Sequence, residues 1–252
     1  MRVTIGFDYV LIIEWLGKRD ALTGSQLHGY LPSLRFESTL VECQRPEDVR
    51  QALADAAAQV RSAGIPIVHL EAHGSNPWGG KAEDICFGSG GGPSVTWSQL
   101  GEWLAPLNIA SDFKLLCVSA ACWGSGIMGG ISGGQHAAPF ACAVGFRTEV
   151  DEGRLRDAMK ELYRALKSGN DLPECVKRAQ RELVHGQKIE LEVGLELARK
   201  ILLNGSLRGA TKSPIGPHRR RRRARAVWNT WFPDYLQERD PAYRFDSAWI
   251  VL

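Results

Sequence analysis

The sequence has no long apolar run, so it offers no candidate for a membrane-spanning helix. None of its apolar stretches approaches the roughly 20 residues that such a helix needs. The first 17 residues are apolar, but Asp8 and Glu14 interrupt them and they lack a small-residue cleavage site. We therefore expect a strand region there rather than a signal peptide, and a cytoplasmic protein without membrane contact.

The sequence also lacks a CxxC pair, although it contains six cysteines. A cytoplasmic chain keeps its thiols reduced, which argues against a disulfide framework. We expect most of these thiols to be small buried hydrophobic groups. The six residues are Cys43, Cys86, Cys117, Cys122, Cys142 and Cys175.

Phosphate-binding motifs are absent as well. The glycine-rich stretches 88–92 and 129–134 match neither the Walker pattern GxxxxGK followed by Ser or Thr, nor GxGxxG between a strand and a helix. We interpret them as substrate or activation loops, within longer loops over residues 74–94 and 123–138.

Net charge is low, at +3, but positive charge is concentrated in one segment. Residues 218–225 read HRRRRRAR, and the rest of the chain is slightly acidic. The arginines are Arg219, Arg220, Arg221, Arg222, Arg223 and Arg225. The leading interpretation is a solvated surface loop. Docking of an acidic regulatory protein and proteolytic processing of an exposed linker stay open, as does nucleic-acid binding, which is not favoured.

Apolar patterning alternates between strands and helices along most of the chain. Five strands are predicted, at residues 9–15, 39–43, 65–72, 113–120 and 139–146. Helices are predicted at residues 23–31, 46–63, 97–107, 152–168, 172–185 and 189–204. Capping boxes at Thr23–Gln26 and Thr96–Gln99 mark two of the helix starts. This alternation predicts an α/β fold with a mostly parallel sheet sandwiched between helices.

The composition divides the chain into three parts. Residues 1–205 form the predicted α/β domain, and residues 206–226 form a basic linker or loop. Residues 227–252 form a C-terminal extension that is too aromatic for a disordered end. We expect this extension to pack back on the domain, with residues 245–252 as a candidate edge strand.

A histidine and a cysteine follow two of the predicted strands. His73 comes after VHLEA, and Cys122 comes after LLCVSAA. Active sites of open α/β sheets lie at the carboxyl ends of the strands, and neighbouring strands are ~5 Å apart. An imidazole beside a thiol is a base–nucleophile pair. The backbone N–H groups of Gly74 and Cys122 are then candidate donors to an oxyanion.

Other histidine and cysteine side chains near these positions have simpler explanations. His69 is predicted to be a satisfied strand histidine, and Cys117 a core residue. His69 and His73 are four residues apart, which on a strand is ~13 Å at ~3.3 Å per residue. One tetrahedral metal ion cannot bind both, so we expect neither a metal nor an organic cofactor.

The motif VHLEAHG followed by LLCVSAACWGSG resembles the caspase-like cysteine peptidases, most closely the CHAT protease subfamily. The segments TWSQLGEWLAPL, APFACAVGFRTEVDEG and LYRALKSGNDLPECVKRAQREL extend the resemblance to about residues 39–184. It implies a caspase-like fold for the α/β domain, to which the aromatic composition adds the C-terminal extension. It also implies that His73 is the general base, that Cys122 is the nucleophile, and that Gly74 and Cys122 bind the oxyanion.

One position departs from the family pattern. Ala120 stands where caspases have Gln and metacaspases have Asp, which favours a roomier or apolar pocket over Asp or Arg specificity. Arg147 occupies a loop in which caspases keep a substrate-contacting Arg. Glu83 and Asp84 are candidates to bind a basic side chain, and Trp123 is a candidate floor of the pocket.

The predicted function is therefore a cysteine endopeptidase that cleaves a specific protein partner. By analogy with the family, it acts in a bacterial antiphage or programmed-death system. The main alternative is an inactive caspase-like module that binds a partner protein or nucleic acid through the arginine-rich segment. A hydrolase or acyltransferase that uses the same two residues on a different substrate is a second alternative.

Overall fold

Alternating apolar stretches and amphipathic helices assemble into an α/β domain. The computed structural model describes residues 7–17, 20–75, 86–88, 93–129 and 139–193. The strands are β1 (Tyr9–Trp15), β2 (Glu37–Glu42), β3 (Pro66–Gly74), β4 (Cys86–Gly88), β5 (Ser94–Thr96), β6 (Leu116–Ala120), β7 (Cys142–Phe146) and β8 (Ile189–Val193). The helices are α1 (Thr23–Tyr30), α2 (Pro46–Ala63), α3 (Trp97–Ala110), α4 (Gly126–Gly129), α5 (Glu152–Lys167) and α6 (Leu172–Gln180).

The central sheet is mostly parallel. Six of its described strands lie in the order β2-β1-β3-β6-β7-β8, and of these six β8 alone runs antiparallel to its neighbour. The buried strands consist of near-continuous apolar runs, as expected for strands covered on both faces. The predicted α/β class and its mostly parallel sheet are therefore confirmed.

Helices cover both faces of this sheet. Odd-numbered residues of β1 and even-numbered residues of β3 pack against α2 and α3 in one core. The opposite faces of β1, β6 and β7 pack against α1, α5 and α6 in a second core. Because side chains alternate along a strand, each strand supplies both cores.

Helix ends agree with their sequence signals in several places. The capping box at Thr96 is confirmed, since its side chain accepts a hydrogen bond from the Gln99 N–H at the start of α3. Helix α2 starts at Pro46 and stops before Gly64, whose φ of 90° is a conformation that favours glycine. The amphipathic helix predicted after Asp151 is also present, as α5.

Four local predictions are wrong. Thr23 does not cap α1, because its hydroxyl is turned to Glu71 inside the fold. Residues 189–193 form an edge strand and not a helix, because Ile189 and Leu191 alternate with glutamates and pair with β7. The predicted loops 74–94 and 123–138 are not wholly loop, because β4 and β5 form a hairpin that extends from the end of β3, and α4 lies within the second segment.

Several predicted features lie outside the described residues. These are the linker 206–226, the arginine run, the extension 227–252, Glu83, Asp84 and most of the glycine-rich stretches 88–92 and 129–134. Among the helices that the structure describes, none combines the length and apolar character needed to cross a bilayer.

Candidate active site

The predicted histidine and cysteine follow neighbouring strands at the same edge of the sheet. Strands β3 and β6 pair in parallel, with Glu71 opposite Ala120 as the last pair. His73 and Cys122 each lie two residues beyond this last pair, so both are at the same edge of the sheet. The step of two keeps both residues on one face, and Cys122 packs against the core that α1, α5 and α6 cover.

The backbones at this point are in close contact. A Cβ added at Gly74 would overlap the carbonyl oxygen of Cys122, so only glycine fits at this position. The residue after the histidine thus lies directly against the residue that carries the thiol. Gly74 also pairs with Phe87 of the hairpin, which fixes its backbone from the other side.

Cys122 lies in a tight turn between β6 and α4. The next residue, Trp123, has a φ of 57°, which is rare for a bulky side chain and costs about 1–2 kcal/mol. The turn is held by hydrogen bonds from the Trp123 N–H to the Thr148 carbonyl and from the Ser125 N–H to the Phe146 carbonyl. Strained backbone beside a reactive group is a common property of functional sites.

The Cys122 thiol is half-buried and interacts with Val150. Its sulfur lies 3.4 Å from the Val150 nitrogen, which donates to it, and 3.7 Å from the Val150 carbonyl oxygen, which accepts from it. Burial raises the pKa of this thiol above its ordinary value, and the carboxylates of Glu149 and Glu152 raise it further. The Val150 N–H acts in the opposite direction. In this conformation the group is a protonated thiol.

His73 is held by a carboxylate that the sequence did not reveal. Its Nε2 lies 2.9 Å from Oδ2 of Asp20, in the loop between β1 and α1. The imidazole side chain is 45% exposed, so it is open to a substrate. Within the described part of the chain, no direct hydrogen bond joins His73 to Cys122.

Asp20 is itself positioned by its own turn. Its Oδ2 accepts a second hydrogen bond, at 2.6 Å, from the Gly17 N–H, and its backbone N–H donates to the Gly17 carbonyl. The hydrogen bond from His73 lowers the pKa of Asp20, which keeps the carboxylate ionised. The only sequence signal for this residue is a carboxylate in the loop after a buried strand.

A buried polar network lies beneath His73 on the same face of the sheet. His69 is fully buried, with Nε2 2.9 Å from Oε1 of Glu71 and Nδ1 3.0 Å from the Tyr163 hydroxyl. Glu71 also accepts from the Thr23 hydroxyl at 2.7 Å. The prediction that His69 is a satisfied strand histidine is confirmed.

The other predicted site residues have defined surroundings but no tested role. Ala120 is buried in the core, so a pocket must open before a substrate can reach it. Arg147 lies 3.0 Å from Glu190 of β8, so its guanidinium is already paired. Trp123 is half-buried beside the thiol. Cys117 is fully buried, as predicted, and burial raises its pKa to about 12.

Among the residues that the structure describes, no three His, Cys, Asp or Glu side chains converge as metal ligands would.

The chain matches no protein-family model and no curated protein.

Proposed function

We propose that this chain is a cysteine endopeptidase of the caspase-like type, with Cys122 as nucleophile and His73 as general base. The register between β3 and β6 carries the proposal, because it brings an exposed imidazole and a half-buried thiol to the same face at the carboxyl edge of the sheet. This edge is where α/β sheets place their reactive groups.

The chemistry needs only groups that the chain supplies. His73 takes the Cys122 proton, and the thiolate attacks the substrate carbonyl to form a tetrahedral oxyanion. The backbone N–H groups of Cys122 and Gly74 are the proposed donors to that oxyanion. His73 then returns the proton to the leaving amine, and a water molecule that it activates hydrolyses the thioester.

The described conformation corresponds to a resting form of this site. The thiol is hydrogen-bonded to the Val150 carbonyl, and the pKa of the thiol is raised. Little thiolate is therefore present at neutral pH before a substrate arrives. Catalytic hydrogen bonds are often long or unformed without substrate. The reaction therefore requires the thiol to leave Val150 and turn to His73.

The proposed biological role rests on the family resemblance alone. The resemblance implies that the chain cleaves one protein partner in a bacterial antiphage or programmed-death system. The same analogy implies no metal and no organic cofactor.

The test is digestion of a proteome-derived peptide library by the full chain, read by mass spectrometry. Cys122→Ala and His73→Ala should each lower cleavage by at least about 100-fold. Cys175→Ala, at a buried thiol, and His185→Ala, at an exposed imidazole, are matched controls that should retain it. A chelator should change nothing. Cleavage that survives both site variants would contradict the assignment.

The same variants separate the peptidase from its alternatives. A hydrolase or acyltransferase that uses these two residues would cleave no peptide but would still react at Cys122 with an activated thioester or ester. An inactive binding module would do neither. It would instead lose its partner when Arg219 to Arg223 are neutralised.

A further inference from the structure

The loop between β1 and α1 brings a carboxylate to the mouth of the site. Asp20 Oδ2 is shared between two donors, the Gly17 N–H at 2.6 Å and the His73 Nε2 at 2.9 Å. The side chain is 24% exposed, so it is partly withdrawn from solvent beside an imidazole that is more open.

Both ends of this loop are anchored in the fold. Trp15, at the end of β1, is fully buried in the core. At the other end, the Thr23 hydroxyl donates to Glu71, and Ser25 donates to Glu14 through both its backbone N–H and its hydroxyl. The carboxylate of Asp20 is therefore carried on a segment that the buried network holds against the sheet.

A carboxylate on one imidazole nitrogen decides which nitrogen is left as a base. An ionised carboxylate only accepts hydrogen bonds, so the His73 nitrogen that faces it must carry the proton. In a neutral ring the other nitrogen is then an unprotonated acceptor. The contact with Asp20 thus selects the form of His73 in which Nε2 carries the hydrogen.

We propose that Asp20 is a positioning residue that holds His73 in the Nε2–H tautomer, so that Nδ1 is the nitrogen that takes the Cys122 proton. This inference rests on the proposed function. When the proton moves to Nδ1, His73 becomes an imidazolium, and the ionised Asp20 stabilises that charge. The arrangement corresponds in role to the carboxylate of a Ser-His-Asp triad.

The first test measures the tautomer and needs no substrate. Long-range proton–nitrogen correlations on full chain labelled with 15N-histidine distinguish the two tautomers, and the His73→Gln variant identifies the His73 signals. We expect the Nε2–H form in the wild type and in Asp20→Asn, whose amide oxygen can still accept. Asp20→Ala should weaken this preference to the smaller one of a free neutral imidazole. Asp157→Ala, at an exposed carboxylate on α5, is the control and should leave it unchanged.

The second test uses a peptide that the wild type cleaves. Asp20→Ala should lower kcat by about 10- to 100-fold with little change in KM, which is a fraction of what general base catalysis contributes. Asp20→Asn should retain more activity than Asp20→Ala. In a His73→Ala background, Asp20→Ala should cause no further loss, because it acts through His73.

The outcomes distinguish a failure of the Asp20 inference from a failure of the peptidase assignment on which it rests. A wild-type Nδ1–H tautomer, or one that Asp20→Ala leaves unchanged, overturns the inference. So does a raised KM with unchanged kcat, which would mean that Asp20 contacts the substrate. If His73→Ala abolishes cleavage and Asp20→Ala does not, the inference fails and the peptidase assignment stands. If Asp20→Ala shifts the tautomer but the wild type cleaves no peptide, the peptidase assignment fails, together with the proton transfer from Cys122.

Discussion

Two histidines of β3 lie on the same face of the sheet and have opposite surroundings. His69, in the buried network, is fully buried, and both of its ring nitrogens have partners, Glu71 and Tyr163. His73, at the mouth of the site, is 45% exposed, and among the described residues it has one hydrogen-bond partner, Asp20. A buried imidazole with hydrogen bonds at both nitrogens stabilises the fold. An exposed imidazole with one nitrogen available can exchange a proton.

The two regions are nevertheless connected. Thr23 and Ser25 at the start of α1 hydrogen-bond to the buried carboxylates Glu71 and Glu14. The loop that precedes α1 carries Asp20 to His73. The buried network thus gives the exposed histidine a fixed partner, in the way that outer contacts fix the groups of a designed site.

The largest expected effect on stability separates the two histidines. His69→Ala should lower the free energy of unfolding by about 3–5 kcal/mol, because it leaves Glu71 and Tyr163 buried without their partner. His73→Ala should lower it by about 1 kcal/mol or less, since a partly exposed ion pair contributes little. Urea denaturation of both variants measures the difference. Equal losses of unfolding free energy in the two variants would contradict a structural role for His69 that His73 lacks.

The close approach of the two strands predicts the next effect. Gly74→Ala should destabilise the fold by about 1–3 kcal/mol, because the added methyl group meets the backbone oxygen of Cys122. Gly29→Ala in α1 is the matched control, since a Cβ there meets nothing within 4 Å. It should raise stability by up to about 1 kcal/mol. Thermal melts of the pair measure this, and a neutral Gly74→Ala would contradict the predicted contact.

A smaller effect tests the hydrogen bonds from the start of α1 to Glu14, a second buried carboxylate. Ser25→Ala removes one of the hydrogen bonds to Glu14, a carboxylate that is only 3% exposed. Hydrogen bonds to charged groups contribute about 1.5–3 kcal/mol, so we expect a loss near the lower end, because the Ser25 N–H still donates. Ser33→Ala, at an exposed hydroxyl, should change stability by less than about 0.5 kcal/mol. Chemical denaturation compares the two.

The smallest effect concerns the thiol at the mouth. Among the five cysteines whose side chains the structure describes, Cys122 is the one that is not fully buried, so iodoacetamide should modify it first. Because its pKa is raised, thiolate is scarce at neutral pH, and the alkylation rate should rise to half its maximum only above the pKa of an ordinary cysteine. Mass spectrometry across a pH series measures this rate. An alkylation rate already maximal at neutral pH would contradict the raised pKa of Cys122 and the proposed resting form.

Local sequence patterns predicted some features and failed on others for a common reason. The patterns TWSQ and TGSQ look alike, yet only Thr96 caps its helix. Thr23 fails because Glu71, 48 residues away, accepts its hydroxyl, and no local pattern contains that partner. The helix prediction fails at residues 189–193 because their strand partner, β7, is distant in the sequence.

The sequence by itself determined most of the strands and helices of the domain, and that a His-Gly step and a cysteine follow two buried strands. These features depend on apolar spacing over a few residues, which the chain carries locally. Only the tertiary structure decided that β3 and β6 are neighbours with Gly74 against Cys122, that Asp20 hydrogen-bonds the imidazole, and that Val150 hydrogen-bonds the thiol. These contacts join residues 28 to 53 positions apart, so they exist only after the sheet fixes its register and the loops close over it.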